Sequence, residues 1–270
     1  MGAFPSALPT RPNRHGPDFV ELMKILLPPS ETKRPGGDGA PLSIEELALS
    51  ALASERDAVT TALVSLAADP AAARRVHKLS DRQLDDIAHN AALRSAPTMA
   101  AVDRYTGVLY DALDASSLDA AARRWLNGHV WIHSAPFGPI AALDAIPMYR
   151  LAAGTSLPGV APLRRHWADA TSQAMAREAP PFVLDLRSEA YVALGPVPAS
   201  VPSAYVRVVT AEGRALNHFN KKAKGELVRA LAEDRPRVRS LASLLDWAAA
   251  RPITMRRGAQ AGVVELVTAS

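Results

Sequence analysis

The apolar residues of this chain come in short runs, each closed by turn residues and set between stretches with helical spacing. None approaches the roughly 20 apolar residues that a membrane-crossing helix needs. One run, Lys24-Ile25-Leu26-Leu27, is stopped by Pro28-Pro29, which cannot continue a sheet ladder. Residues 129–134, 182–186 and 261–267 read as further strands. Helical spacing marks 43–50, 55–67, 70–79, 81–92, 117–126, 162–177, 221–232 and 240–249. Strands and helices therefore interleave, and the chain reads as one mixed α/β domain. Residues 1–22 carry Pro5, Pro9, Pro12 and Pro17 without periodicity, so they read as a disordered extension ahead of a domain spanning 23–270.

At 270 residues and 48% hydrophobic content, there is enough chain to bury a sizeable core. The absence of cysteine excludes disulfides, thiolate nucleophiles and Cys-ligated metals. The His and Asp spacing matches no metal signature, so neither a metal nor another cofactor is expected. No signal peptide is visible, and the chain reads as cytoplasmic, without a membrane partner. The net charge of +4 fits an anionic partner, and the charge is unevenly spread. Between Arg214 and Arg257, eleven Lys and Arg face four Asp and Glu.

That basic third contains His218-Phe219-Asn220-Lys221-Lys222-Ala223-Lys224-Gly225. It joins a β-patterned run, 205–219, to the helical run. A Glu212-Gly213 turn makes the β run read as a hairpin. Three lysines thus fall in the first turn of a helix, where each cation costs about 0.3–1 kcal/mol against the partial positive charge of that end. Gly225 adds a further cost of about 1 kcal/mol in a helix interior. Repeated local cost points to a compensating anion, whether phosphate, carboxylate or nucleic-acid backbone. A solvated basic face, screened by salt, is the other reading.

Residues 70–92 form a pair of short helices. Ser80 and Gln83 have the spacing of a capping box, so two helices meet at His77-Lys78-Leu79-Ser80. The pair is a candidate helix-hairpin-helix element for DNA. Its turn lacks the glycine that lets such a backbone approach phosphate, and a pair that only packs is the alternative.

Five ordered stretches together resemble the YaaA family of bacterial peroxide stress proteins. They are Ile25-Leu26-Leu27-Pro28-Pro29-Ser30-Glu31-Thr32-Lys33, Tyr105-Thr106-Gly107-Val108-Leu109-Tyr110, Ile146-Pro147-Met148-Tyr149-Arg150-Leu151, Asp185-Leu186-Arg187-Ser188-Glu189-Ala190-Tyr191 and the 218–225 stretch. The resemblance covers nearly all of the chain after Met23. It implies a mixed α/β fold with a central mixed sheet and surrounding helices. It also implies a positively charged cleft, DNA binding through a helix-hairpin-helix and a part in limiting iron-driven oxidative damage. One stretch departs from the pattern. Where the family carries a Tyr or Trp and an Arg-Pro pair, residues 134–144 have Phe137 and Ala141-Ala142. The change removes a polar aromatic and a cation, which suggests a specialised relative, for instance in biosynthesis.

The polar residues in the matching stretches are Lys33, Tyr105, Tyr149, Arg150, Asp185, Arg187, Ser188, Tyr191, His218, Asn220, Lys221 and Lys224. They are expected to converge on one cleft. Tyr, Asp and His among cations suit a small anionic ligand, such as a nucleobase or nucleotide, better than a phosphate-tracking surface. Arg150 and Arg187 are expected to clamp its anion. Lys33, Tyr105, Ser188, Tyr191, Asn220 and Lys224 are expected to bind it, and His218, Tyr149, Asp185 and Lys221 to move protons or hold charge. Two further readings stay open at this stage: non-catalytic DNA binding, and an interaction protein with a solvated basic face.

Overall fold

A computed structural model describes residues 22–214 and 220–268. Nine strands and ten α-helices are found among these residues. The strands are β1 (Lys24–Leu27), β2 (Met99–Ala100), β3 (Val130–Ser134), β4 (Gly138–Ala141), β5 (Ala145–Ile146), β6 (Val183–Asp185), β7 (Ser203–Val209), β8 (Thr254–Arg257) and β9 (Val263–Val267). The helices before β4 are α1 (Ala53–Ala67), α2 (Pro70–His77), α3 (Asp85–Ala91), α4 (Ala101–Arg104), α5 (Val108–Leu113) and α6 (Ala120–His129). Those after it are α7 (Leu163–Glu178), α8 (Glu189–Leu194), α9 (Asn220–Asp234) and α10 (Leu241–Ala249).

Seven strands form one sheet in the order β4-β3-β1-β6-β7-β9-β8, and β2 pairs with β5 apart from it. The inner five, β3, β1, β6, β7 and β9, run parallel, while β4 and β8 are antiparallel edges. Every residue of β3 and β6 is buried, as is β1 after Lys24. Parallel strands are buried on both faces by their crossover helices, which is why these runs read as unbroken apolar stretches. One group of helices, α5, α6 and α9, packs together, with α6 against β1 and β3 and α9 against β7. Another joins α7 to α8, α1 and β4.

In chain order the parallel strands lie second, first, third, fourth, fifth across the sheet. The winding therefore reverses beside β1, and the gap between the ends of β1 and β6 is the topological switch point. Open α/β sheets bind ligands there, outside the carboxyl ends of the strands.

Several local expectations need correction. The strand read over 129–134 is the first arm of a hairpin whose second arm spacing did not mark, since Ser134 pairs with Gly138 and His133 with Pro139. Proline is tolerated in β4 because it is an edge strand. In place of a helix over 43–50 there is a 3-10 turn, Ile44–Glu46, and a second one follows at Ser50–Leu52. The helix expected over 81–92 opens with a 3-10 turn, Asp81–Gln83, before α3. Its Ser80–Gln83 capping box is present. The connection from α2 turns at Lys78, which takes φ 54° although it is not glycine. The helix expected over 117–126 starts at Ala120 and is capped by Asp119, which accepts from the Ala122 N–H at 2.6 Å. The helix runs past Asn127-Gly128 to His129. At Glu212-Gly213 the expected turn is present, with the Gly213 N–H bonded to the Thr210 carbonyl. The return arm of the expected hairpin, 215–219, and the extension over 1–21 lie outside the described residues.

Candidate active site at the switch point

The chain leaves β1 at Pro28-Pro29, whose missing N–H groups end the ladder. The Pro28 carbonyl accepts a hydrogen bond from the Tyr110 hydroxyl at 2.7 Å. The following turn is closed by Lys33, whose Nζ donates to the carbonyls of Ser30 at 3.0 Å and Glu31 at 3.1 Å. The same ammonium lies 4.2 Å from the centre of the Tyr149 ring and 5.7 Å from that of Tyr105. Burial, followed by the neighbouring Arg150 charge, lowers the Lys33 pKa to about 7, against the opposing pull of Asp86 and Glu31. Beneath it the hydroxyls of Tyr105 and Tyr149 meet at 2.7 Å. Burial raises both phenols well above 10, so they remain protonated at neutral pH.

At the end of β6, Arg187 is completely buried. Its guanidinium donates to both Asp185 oxygens, to His133 Nδ1 and to the Gly195 carbonyl. The clamp expected of Arg187 is not what the structure presents, because these partners hold its donors inside. Asp185 is likewise engaged by Arg187 and is not an available base. Lys224 is buried and donates to the Leu186 carbonyl at 3.0 Å. Burial brings its pKa down to about 8, with Asp185 opposing. It therefore supports the end of β6 and does not line the cleft.

The three helix-start lysines thus have three different settings. Lys222 pairs with Glu226 at 3.5 Å on the exposed face of α9. Lys224 is buried under β6. Lys221 points into a cavity of about 650 Å³ between the ends of β1 and β6. The cavity walls are segments 28–32, 106–110 and 151–154, with Tyr149, Ser188, Ala190 and Tyr191. This volume is typical of a small-molecule site. Gly225 needs no anion to explain it. A Cβ there would fall on the Leu109 carbonyl oxygen and 2.9 Å from Ala112 Cβ, so glycine permits the close crossing of α5 and α9.

Of the twelve expected residues, Tyr149, Ser188, Tyr191 and Lys221 line the cavity. Lys33 and Tyr105 support it through Tyr149. Asp185, Arg187 and Lys224 brace the strand end. Arg150 stands to one side, 3.8 Å from Glu31 and 3.9 Å from Asp86. Its backbone is held on both polar atoms by the Asn90 side chain, a bridge that spacing gave no hint of. Asn220 opens α9 beside Lys221, and its Oδ1 is buried with no partner among the described residues. His218 lies outside the described residues. Tyr110 belongs to a matching stretch yet was not singled out, and Pro28 and Pro29 carry no polar signal at all. Among the described residues no cluster of three or more His, Asp or Glu converges as a metal site.

Fold and site together define a doubly wound α/β protein with a ligand-sized cavity at the switch point of its sheet. The chain belongs to the family described as peroxide stress protein YaaA, matching it over residues 23–250. It is 44% identical over 216 residues to the UPF0246 protein of Corynebacterium efficiens, an alignment covering 78% of this chain and 85% of that protein. The UPF0246 protein of Streptomyces coelicolor is 42% identical over 214 residues, covering 77% of this chain and 82% of that protein. No helix among the described residues is long and apolar enough to cross a membrane.

Proposed function

We propose that the switch-point cavity binds, and transforms, a small planar ligand carrying one anionic group, of the size and chemistry of a nucleobase acid or nucleoside monophosphate. The observation that carries this reading is the placement of Lys221, a cation at the start of α9, in the wall of a cavity whose other described lining holds three tyrosines, prolines, leucines and small hydroxyl residues, with Glu31 as its one carboxylate. A planar body fits against Tyr110, Tyr149 and Tyr191 beside Pro28 and Leu151. Its anion meets Lys221, and the Ser188 hydroxyl is a further polar group of the lining. Tyr149 reaches the cavity as a protonated phenol in contact with Tyr105. Its chemical part is therefore that of a hydrogen-bond or proton donor, not a base.

The competing reading is duplex DNA binding by the α2–α3 pair. Around that pair Arg74, Arg75, Lys78 and Arg82 are interleaved with Asp69, Asp81, Asp85 and Asp86, and Arg74 is bonded to Asp81 at 2.6 Å. Such a balance gives little field for tracking phosphates. Thermal unfolding with orotate, AMP, inorganic phosphate and a short DNA duplex separates the two. The proposal expects orotate or AMP to raise Tm; at 100 times Kd a ligand adds about 2.7 kcal/mol. A shift with the duplex and with none of the small anions would overturn it.

A further inference from the structure

Part of the basic C-terminal third is neutralised within the fold. Arg229 pairs with Glu233 and Asp114, Arg251 with Asp234, and Arg256 with Glu265. The segment after α9 is different. Arg235, Arg237 and Arg239 are exposed, while Val238 between them is buried. Among the described residues Arg235 has a carboxylate partner, Asp119 at 3.6 Å, and neither Arg237 nor Arg239 has one. All three line one cavity of about 460 Å³.

The facing wall is aromatic. Trp125 and His129, one turn apart at the end of α6, stack with ring centres 4.0 Å apart and planes 12° from parallel. His129 Nδ1 lies 2.8 Å from the Trp125 carbonyl, so that nitrogen carries the proton and Nε2 keeps its lone pair. Burial and, to a lesser degree, Lys24 lower its pKa to about 4, so the imidazole is neutral at pH 7. The pair is thus an uncharged aromatic stack, with Trp125 its partly exposed member, beside three guanidinium groups. Trp131, Trp167 and Trp247 are buried, whereas Trp125 keeps partial exposure. Leu22 and Met23, just ahead of β1, complete the lining. This cavity therefore lies at the opposite end of β1 from the switch-point site.

We propose that this cavity is a second ligand site, for a nucleoside polyphosphate, with the base against Trp125 and the phosphates on Arg237 and Arg239. Planar guanidinium forks match phosphate oxygens bidentately, and aromatic faces take a base without discriminating its sequence identity. Charge count separates the two sites. Among the described residues Lys221 and Glu31 line the switch-point cavity, whereas three arginines line this one, two of them without a carboxylate partner, which calls for a ligand with several negative charges.

ADP is the probe, titrated into the full chain while tryptophan fluorescence is followed. The expected result is a saturable change that disappears in Trp125→Phe. In the double variant R237E/R239E, altered only at exposed positions, apparent affinity should fall at least tenfold with Tm unchanged. Lys221→Met should leave the ADP response intact. Adenosine and pyrophosphate should each bind at least tenfold more weakly than ADP. An equal response to pyrophosphate would remove the base from the account. Loss of the ADP response in K221M would assign it to the other cavity, and either result overturns the proposal. So would binding of single-stranded oligothymidylate by a chain that does not respond to ADP.

Discussion

Arg187 and Asp185 are joined by two hydrogen bonds, Nε to Oδ1 at 2.9 Å and Nη2 to Oδ2 at 2.6 Å, at the buried end of β6. A further nitrogen of the same guanidinium reaches His133 Nδ1 on β3 at 2.8 Å. The pair therefore ties two strands that flank β1 and fixes the rim on which Ser188 and Tyr191 stand. His133 must accept at Nδ1, so its proton is on Nε2. Burial, then Arg187, keeps its pKa well below the ordinary value.

Removing one partner of this pair strands the other. Asp185→Asn should cost about 3–5 kcal/mol, because a buried guanidinium loses its counter-charge. Replacing both, as D185L/R187M, should cost less than either single change. Urea unfolding of the three variants checks this. A loss under about 1 kcal/mol in D185N would mean that water reaches the pair.

Gly225→Ala tests why a glycine interrupts α9. Helix propensity alone predicts a gain of about 1 kcal/mol. The crossing with α5 predicts the opposite, since the added methyl collides with the Leu109 carbonyl. Overpacking of this kind typically costs about 1–3 kcal/mol. A stabilised G225A would show that α5 and α9 can separate freely.

Two lysines set a pH dependence. The folded pKa is lowered to about 7 at Lys33 and about 8 at Lys224, against an unfolded value of 10.5. Above these folded values the unfolded chain binds more protons, so stability rises with pH toward 10.5. Lys24 is shifted in the same direction by burial. Tyr105, Tyr110 and Tyr149 act oppositely, but only above about pH 10. The contribution of these lysines to Tm should therefore increase between pH 7 and 9.5. The increase should shrink in K33M and again in K33M/K224M. Slopes identical to wild type in both variants would place the two amines in ordinary solvent.

The layout was legible in the sequence where physics is local. Lys24–Leu27 and the 182–186 run announced buried strands, because a parallel strand covered on both faces is apolar throughout. Tyr149, Ser188, Tyr191 and Lys221, expected to share one cleft, line one cavity. Prolines 136 and 139 hid β4, since only the sheet's order reveals that this strand lies at an edge. Nor could spacing assign the lysines of α9. Lys221, Lys222 and Lys224 look alike in sequence, and their different fates follow from how Gly225 seats the helix against α5. The arginines divide in the same way. Arg187 pairs with Asp185 only two residues away, which is local, but its contact with His133 on β3 depends on the order of strands in the sheet.

The account stands on Lys221 as the anion contact of the switch-point cavity. Calorimetric titration of wild type and K221M with orotate and with AMP, in the R237E/R239E background, reads that contact alone. One of the two ligands should bind wild-type Lys221 chains at one per chain, and K221M should weaken it by about ten- to hundredfold, the value of a charged hydrogen bond. Equal affinity in K221M, or no binding of either ligand, would contradict it.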